Sequence, residues 1–153
     1  MDIGMTETER EEVAKHLSFL LADTYSIYLK TQNFHWNLQG ENFYGLHILM
    51  QKLYEDLAEG VDEIAERIRS LGQYVVANFS HFQKITQIQG EEAWVSAKNM
   101  IQKLTDDHQK IAKEYRPVIE GCQKLRDEMS ADLVIKRISF HEKAAYLLSS
   151  HLG

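Results

Sequence analysis

The chain has 153 residues, 44% of them hydrophobic, so it is long and apolar enough for one globular domain over residues 1–153, with residues 1–6 as a short N-terminal extension. Its formal net charge of −6 argues against nucleic acid as the default partner, because phosphate binding needs clustered lysine and arginine. The single cysteine excludes an internal disulfide and favours a reducing cytoplasm. We expect no signal peptide and no membrane segment, because neither a basic start nor a long apolar run is present.

A single proline and the lack of strand-like alternation predict an all-α fold. Thr6 and Glu9 match a capping box, which predicts a first helix from near Glu7 to about Asn37. His35 then lies in its last turn. The core face of this helix is predicted to carry Val13, Leu17, Leu20, Thr24 and Tyr28.

The second predicted helix carries the longest apolar stripe of the chain and ends at Gly72, a typical C-terminal cap residue. The stripe recurs at steps of three and four residues in Phe43, Leu46, Met50, Leu53, Leu57, Val61, Ile64, Ile68 and Leu71. A second, partly apolar flank of the helix holds the polar residues His47, Gln51, Asp62 and Glu66. The short loop of residues 38–42 predicts an antiparallel return, which places His35 and His47 near the same end of the bundle.

A crossover and a third long helix are predicted next. Residues 73–90 form the crossover, with a short helix over residues 80–85. The third helix is predicted to begin near Glu91, and Pro117 is expected to end or kink it. Its apolar stripe is Trp94, Ala97, Ile101, Leu104, His108, Ile111 and Tyr115.

The last helix is predicted from near Ser130 to about Ser150. Its core face is Val134, Ile138, His141, Ala145 and Leu148. Because His108 and His141 fall on core faces, we interpret both as structural residues. Cys122 is interpreted as a small buried hydrophobe in a helix.

The spacing of the polar residues on the second helix limits how they bind a metal ion. His47 and Asp62 are separated by about 22 Å along one helix, so one copy cannot bring both to the same ion. Either other helices complete two separate sites, or an antiparallel second copy brings Asp62 and Glu66 beside His47. No histidine of the chain has a glutamate three residues before it, the motif typical of di-iron sites inside one bundle. A two-fold interface is therefore the favoured arrangement.

Three short motifs resemble the Dps family of small ferritin-like proteins from bacteria. They are FHWNLQG at residues 34–40, DEIAER at residues 62–67 and HEK at residues 141–143, and the resemblance covers residues 10–150. It implies a ferritin-like four-helix bundle that assembles through two-fold and three-fold interfaces into a hollow dodecamer in the bacterial cytoplasm. It also implies a ferroxidase that oxidises Fe(II), preferably with hydrogen peroxide, and stores ferric mineral inside the shell, which protects the cell from oxidative damage.

The resemblance also implies a catalytic and metal-binding set at each two-fold interface. His35 and His47 come from one subunit, and Asp62 and Glu66 come from its partner, which agrees with the spacing argument. Imidazole and carboxylate both bind Fe(II), and carboxylates stabilise the harder Fe(III) that forms. Such a site holds at most two iron ions, and zinc accepts similar ligands as a surrogate.

One residue departs from the family pattern. The family usually has a carboxylate four residues after the second histidine, and Gln51 occupies that position here. A neutral amide oxygen does not offset the charge of a metal ion. We therefore expect one iron position to bind weakly or not at all, and the ferroxidase activity to be reduced.

Several other residues have a structural and a functional interpretation. Trp36 is interpreted first as an interface or core aromatic, and second as a residue that intercepts oxidising equivalents beside the site. Asp62 and Glu66 have an alternative as members of surface ion pairs with nearby arginines. The acidic residues around the start of the last helix resemble those that line a pore at the family's three-fold axis, and their alternative is favourable interaction with the helix dipole. These are Asp127, Glu128 and Asp132.

Two other functions compete with the iron-oxidising shell. The first is a shell with an impaired ferroxidase centre and a structural or interaction role, which the presence of Gln51 motivates. The second is DNA binding in the nucleoid, as in some family members. The first twelve residues argue against DNA binding, because five carboxylates against Arg10 give them a side-chain charge of −4.

Overall fold

The computed structural model describes residues 1–153 and contains only helices, which confirms the all-α prediction. The helices are α1 (Glu7–Asn37), α2 (Phe43–Ser70), α3 (Phe79–Ile85), α4 (Ala97–Glu114), α5 (Arg116–Lys124) and α6 (Glu128–Ser149). Helix α1 packs against α2, and α6 packs against α4 and α5. The short helix α3 lies in the crossover between the two pairs, as in a ferritin-like bundle. None of the six helices has the length and apolar character needed to cross a lipid bilayer.

One hydrophobic core runs through the bundle and receives side chains from all four long helical segments. Leu17, Leu57, Leu104 and Val134, from α1, α2, α4 and α6, are each fully buried. The predicted capping box fixes the start of α1, since the Thr6 hydroxyl accepts from the Glu9 amide at 3.3 Å and a Glu9 carboxylate oxygen accepts from the Thr6 amide at 2.7 Å.

The predicted start of the third long helix near Glu91 is wrong, because α4 begins six residues later, at Ala97. The Ser96 hydroxyl accepts from the backbone amide of Asn99 at 3.3 Å and caps this helix. Trp94, placed on the core stripe by its spacing, is 59% exposed, and its indole N–H donates to the Asn37 carbonyl at 3.1 Å. The stretch before Ser96 therefore packs over the end of α1 instead of extending α4.

Pro117 marks a break in the third long helix, as predicted. Helix α4 ends at Glu114, and Pro117 lies in the first turn of α5, where its missing N–H is not needed. The last helix begins at Glu128 and not at Ser130, because Asp127 is the capping residue and accepts from the Ser130 amide at 3.0 Å. Cys122 is buried within α5, as expected, and burial raises the pKa of its thiol to about 11.

A buried carboxylate fastens the crossover to α1. Asp23 is 1% exposed and accepts four hydrogen bonds. The donors are the Thr86 hydroxyl at 2.7 Å, the Gln87 amide at 2.9 Å, the Gln87 side chain at 3.0 Å and the Tyr115 hydroxyl at 2.7 Å. Burial and the nearby Asp23 carboxylate raise the pKa of the Tyr115 hydroxyl, so it remains a donor. One residue of α1 therefore ties down both the end of α3 and the end of α4.

Candidate metal centre

The first pair of predicted ligands meets at one end of the bundle. His35 lies in the last turn of α1 and His47 in the second turn of α2, and the short loop between the helices brings them together. Their rings are stacked, with centroids 3.7 Å apart and planes inclined by 17°. The prediction that His35 and His47 lie near the same end of the bundle is confirmed.

Two reciprocal hydrogen bonds determine the tautomer of this pair. The Nδ1 atom of His35 lies 2.9 Å from the His47 carbonyl oxygen, and the Nδ1 atom of His47 lies 3.1 Å from the His35 carbonyl oxygen. Because a carbonyl oxygen only accepts, both Nδ1 atoms carry a proton and donate. In the neutral rings, both Nε2 atoms then keep a lone pair, which is the form of imidazole that binds a metal ion.

Neighbouring aromatic rings hold the stacked pair in place. Phe43 stacks on His47 at a centroid distance of 4.9 Å, and the rings of Tyr54 and His35 form a T-shaped pair at 5.2 Å. His35 is only 6% exposed. Rings fixed by packing and by hydrogen bonds lose little further freedom when they bind a metal ion.

The second pair of predicted ligands, Asp62 and Glu66, is exposed on α2 and makes no hydrogen bond or ion pair within the subunit. The basic residues near them are engaged elsewhere, and Arg69 donates to the Gln73 carbonyl at 2.7 Å. Lys136 binds Glu63 at 2.7 Å, and Arg67 binds a carboxylate at the start of α6. The alternative of ordinary surface ion pairs therefore does not apply to Asp62 and Glu66, and both carboxylates are free to bind a ligand.

The two pairs do not meet within one subunit. Helix α2 is continuous from Phe43 to Ser70, so the separation of about 22 Å between His47 and Asp62 stands. No group of three or more His, Cys, Asp or Glu side chains converges anywhere in the chain. A site that contains both pairs requires a second subunit.

Gln51, the departure from the family pattern, lies one turn after His47 on α2 and is partly buried. Its Nε2 atom donates to Glu55 Oε1 at 2.8 Å. Glu55 is itself exposed and makes no other hydrogen bond. The spacing of these residues was visible in the sequence, but their contact was not.

The remaining predicted site residues differ in their environments. Trp36 is 64% exposed, which rules it out of the subunit core and leaves two interpretations, an interface aromatic and a residue that intercepts oxidising equivalents. Asp127 is fully buried, and one of its oxygens accepts from Arg67 at 2.7 Å. This geometry makes Asp127 a helix cap with an ion-pair partner, so the pore interpretation is wrong for that residue. Glu128 and Asp132 are exposed and stay candidates for a pore.

Comparisons with known proteins identify the family. A ferritin-like domain profile matches residues 14–153. The chain is 36% identical over 148 residues to the DNA protection during starvation protein of Porphyromonas gingivalis, covering 97% of this chain and 93% of that one.

Solved structures agree with this result. The Dps protein of Vibrio cholerae O1, described as a member of the ferritin-like diiron-carboxylate superfamily, superposes with a TM-score of 0.93 and 30% identity over 99% of this chain and 95% of that one. DpsC of Streptomyces coelicolor superposes with a TM-score of 0.96 and 26% identity over 100% of this chain and 90% of that one. The helical bundle, the matched domain and these relatives together show that the chain belongs to the Dps family of ferritin-like proteins.

Proposed function

We propose that this protein oxidises Fe(II) with hydrogen peroxide at sites shared between two subunits, and stores the Fe(III) product inside a dodecameric shell. Family membership supports the general role of a mini-ferritin that sequesters iron. The observation that carries the proposal for this chain is the reciprocal bonding of His35 and His47, which leaves the lone pair of each neutral ring on Nε2 in a rigidly held pair.

The residues have separate tasks in this proposal. His35 and His47 of one subunit bind iron through Nε2, while their Nδ1–H groups keep donating to the backbone carbonyls. Asp62 and Glu66 of the two-fold partner supply anionic oxygens, which favour the ferric product over the ferrous substrate. They lie at positions i and i+4 of a helix, so they share one face and reach the same site.

The electron balance of the reaction explains how the protein would protect the cell from oxidative damage. Two Fe(II) ions each give up one electron to one hydrogen peroxide, the O–O bond breaks, and two protons from solvent complete two water molecules. Two-electron reduction at a site that holds two ions avoids release of a hydroxyl radical, which one-electron reduction would produce. The site therefore consumes both reagents of a damaging reaction.

Gln51 favours a second candidate, a shell whose ferroxidase centre is impaired and whose role is structural or interactive. The two candidates differ in the rate of Fe(II) oxidation that they predict for the wild-type protein. DNA binding has the least support, because the acidic N-terminal segment repels phosphates. A mobility shift at low salt would revive that interpretation.

We expect the wild type to oxidise Fe(II) with about two ions consumed per peroxide and little hydroxyl radical trapped. His47→Ala should slow the reaction by at least about 100-fold, since loss of even an outer-shell partner of a metal ligand typically lowers activity about 10–100-fold. His16→Ala, which removes an exposed histidine of α1, is the matched control and should leave the rate unchanged. Stopped-flow absorbance with radical trapping measures both quantities, and sedimentation checks assembly on the same samples.

A wild-type rate equal to that of His47→Ala would contradict the proposal. If Gln51→Asp then restored oxidation, the impaired shell would be the better description of the natural protein.

A further inference from the structure

The hydrogen bond between Gln51 and Glu55 fixes the orientation of the Gln51 amide, the group that departs from the family pattern. A carboxylate only accepts, so the Gln51 amide must turn its nitrogen toward Glu55. This leaves the other end of the amide, the Oε1 atom, available to a different partner. His47, Gln51 and Glu55 follow one another at intervals of four residues, so they lie along one face of α2.

We propose that Glu55 is a positioning residue of the metal centre. It orients Gln51 so that Oε1 serves as a neutral oxygen ligand, and it supplies from one turn away the negative charge that Gln51 lacks. The inference rests on the proposed function, because it assigns a role toward the metal ion bound by His47. A hydrogen bond to a carboxylate polarises the amide and increases the electron density on its oxygen, which strengthens the oxygen as a ligand.

Direct binding of the metal ion by Glu55 is less compatible with the geometry. Glu55 lies about 6 Å of helical rise beyond Gln51, and one of its oxygens is engaged by the amide at 2.8 Å. The simpler alternative is an ordinary surface pair at positions i and i+4, which contributes a few tenths of a kcal/mol to the helix and nothing to metal binding. The two interpretations differ in how metal affinity responds to substitution.

Metal affinity is measured on the assembled, metal-free protein by titration with Co(II) alone, without any oxidant. Glu55→Ala is expected to lower the affinity about 10-fold, in the range typical of outer-shell partners. Glu55→Gln should recover part of this loss, because its side-chain oxygen still accepts from Gln51. The matched control Glu59→Gln removes an exposed carboxylate one turn further along α2 and should change the affinity less than about 2-fold.

The sharpest test repeats Glu55→Ala in a Gln51→Asp background. With a carboxylate at position 51 the ligand needs neither orientation nor added charge from Glu55, so removal of Glu55 should now change the affinity less than about 2-fold, like the control. This loss of the effect is a result that a merely structural role does not produce.

An equal response to Glu55→Ala and Glu59→Gln, or a loss of the same size in both backgrounds, would overturn the inference while the proposed function stands. Identical Co(II) titrations of the wild type and His47→Ala would instead show that no metal ion binds at the proposed centre, and would overturn both.

Discussion

The protein is expected to lose stability steeply in mild acid, because α4 and α6 enclose a pair of neutral histidines. The Nδ1 atoms of His108 and His141 lie 2.7 Å apart, and both residues are fully buried. One ring donates to the other, and neither Nε2 atom has a partner. Burial lowers the pKa of both imidazoles, and the charge of the nearby Arg137, itself bonded to Asp56 of α2, lowers the pKa of each further.

The direction of the effect follows from proton binding. An exposed histidine in the unfolded chain titrates near its usual value of 6.5. Above that pH neither state takes up a proton at these positions, so stability is fully present. Below it the unfolded chain binds protons that the folded bundle excludes, and stability falls by up to about 1.4 kcal/mol per pH unit for each histidine.

Urea unfolding between pH 7.5 and pH 4.5 measures this loss. The double variant His108→Leu with His141→Leu replaces both partners by apolar groups of similar size, so we expect it to be close to wild type at pH 7.5 and distinctly more stable than wild type at pH 4.5. His16→Gln, which removes an exposed histidine, is the control and should follow the wild type. Parallel pH profiles for all three proteins would show that the buried pair does not titrate with unfolding.

Asp23→Ala is expected to lower the free energy of unfolding by about 3–5 kcal/mol, because four donors, one buried and three partly buried, lose their acceptor at once. The Tyr115 hydroxyl, the Thr86 hydroxyl and the amide and side chain of Gln87 all depend on this carboxylate. Removal of a buried charge recovers part of its desolvation cost, which keeps the expected loss below the sum of the separate bonds.

The same variant should loosen the crossover before it unfolds the bundle. Hydrogen exchange at the Gln87 amide, which donates to Asp23, is expected to accelerate more than exchange in α2. Asp106→Ala is the matched control, because Asp106 is exposed and accepts only from Gln102, and we expect it to change stability by less than about 0.5 kcal/mol. A loss below about 1 kcal/mol for Asp23→Ala would show that the network contributes little.

Local signals predicted most of the fold. The capping box at Thr6 and the stripe from Phe43 to Leu71 placed α1 and α2 within two residues of their observed bounds, because caps and helical periodicity act within one helix. The start of α4 was predicted wrongly, since Trp94 matches the period of the stripe while its indole bonds to the end of α1. Periodicity alone does not distinguish a core residue from one held by a tertiary hydrogen bond.

The sequence did not predict the buried hydrogen-bond networks. Asp23 interrupts a run of apolar residues in α1, which was a usable signal, but its donors are 63 to 92 positions away. The core positions of His108 and His141 followed from the stripes, whereas their direct hydrogen bond depends on the register between α4 and α6. The joining of Asp62 and Glu66 to the histidine pair depends on a second subunit and stays a prediction.

Subunit mixing tests most directly whether the histidine pair of one subunit and the Asp62 and Glu66 carboxylates of another form one site. Shells of His35→Ala with His47→Ala lack one half of every proposed site, and shells of Asp62→Asn with Glu66→Gln lack the other half. Each should be inactive in oxidation of Fe(II) by peroxide. A two-fold interface carries two equivalent sites. In co-expressed, randomly mixed shells, about half of the interfaces pair one variant with the other, and each of these mixed interfaces keeps one of its two sites intact. We therefore predict about a quarter of wild-type activity. No recovery in mixed shells would contradict a shared site, because a site built within one subunit stays broken in both variants.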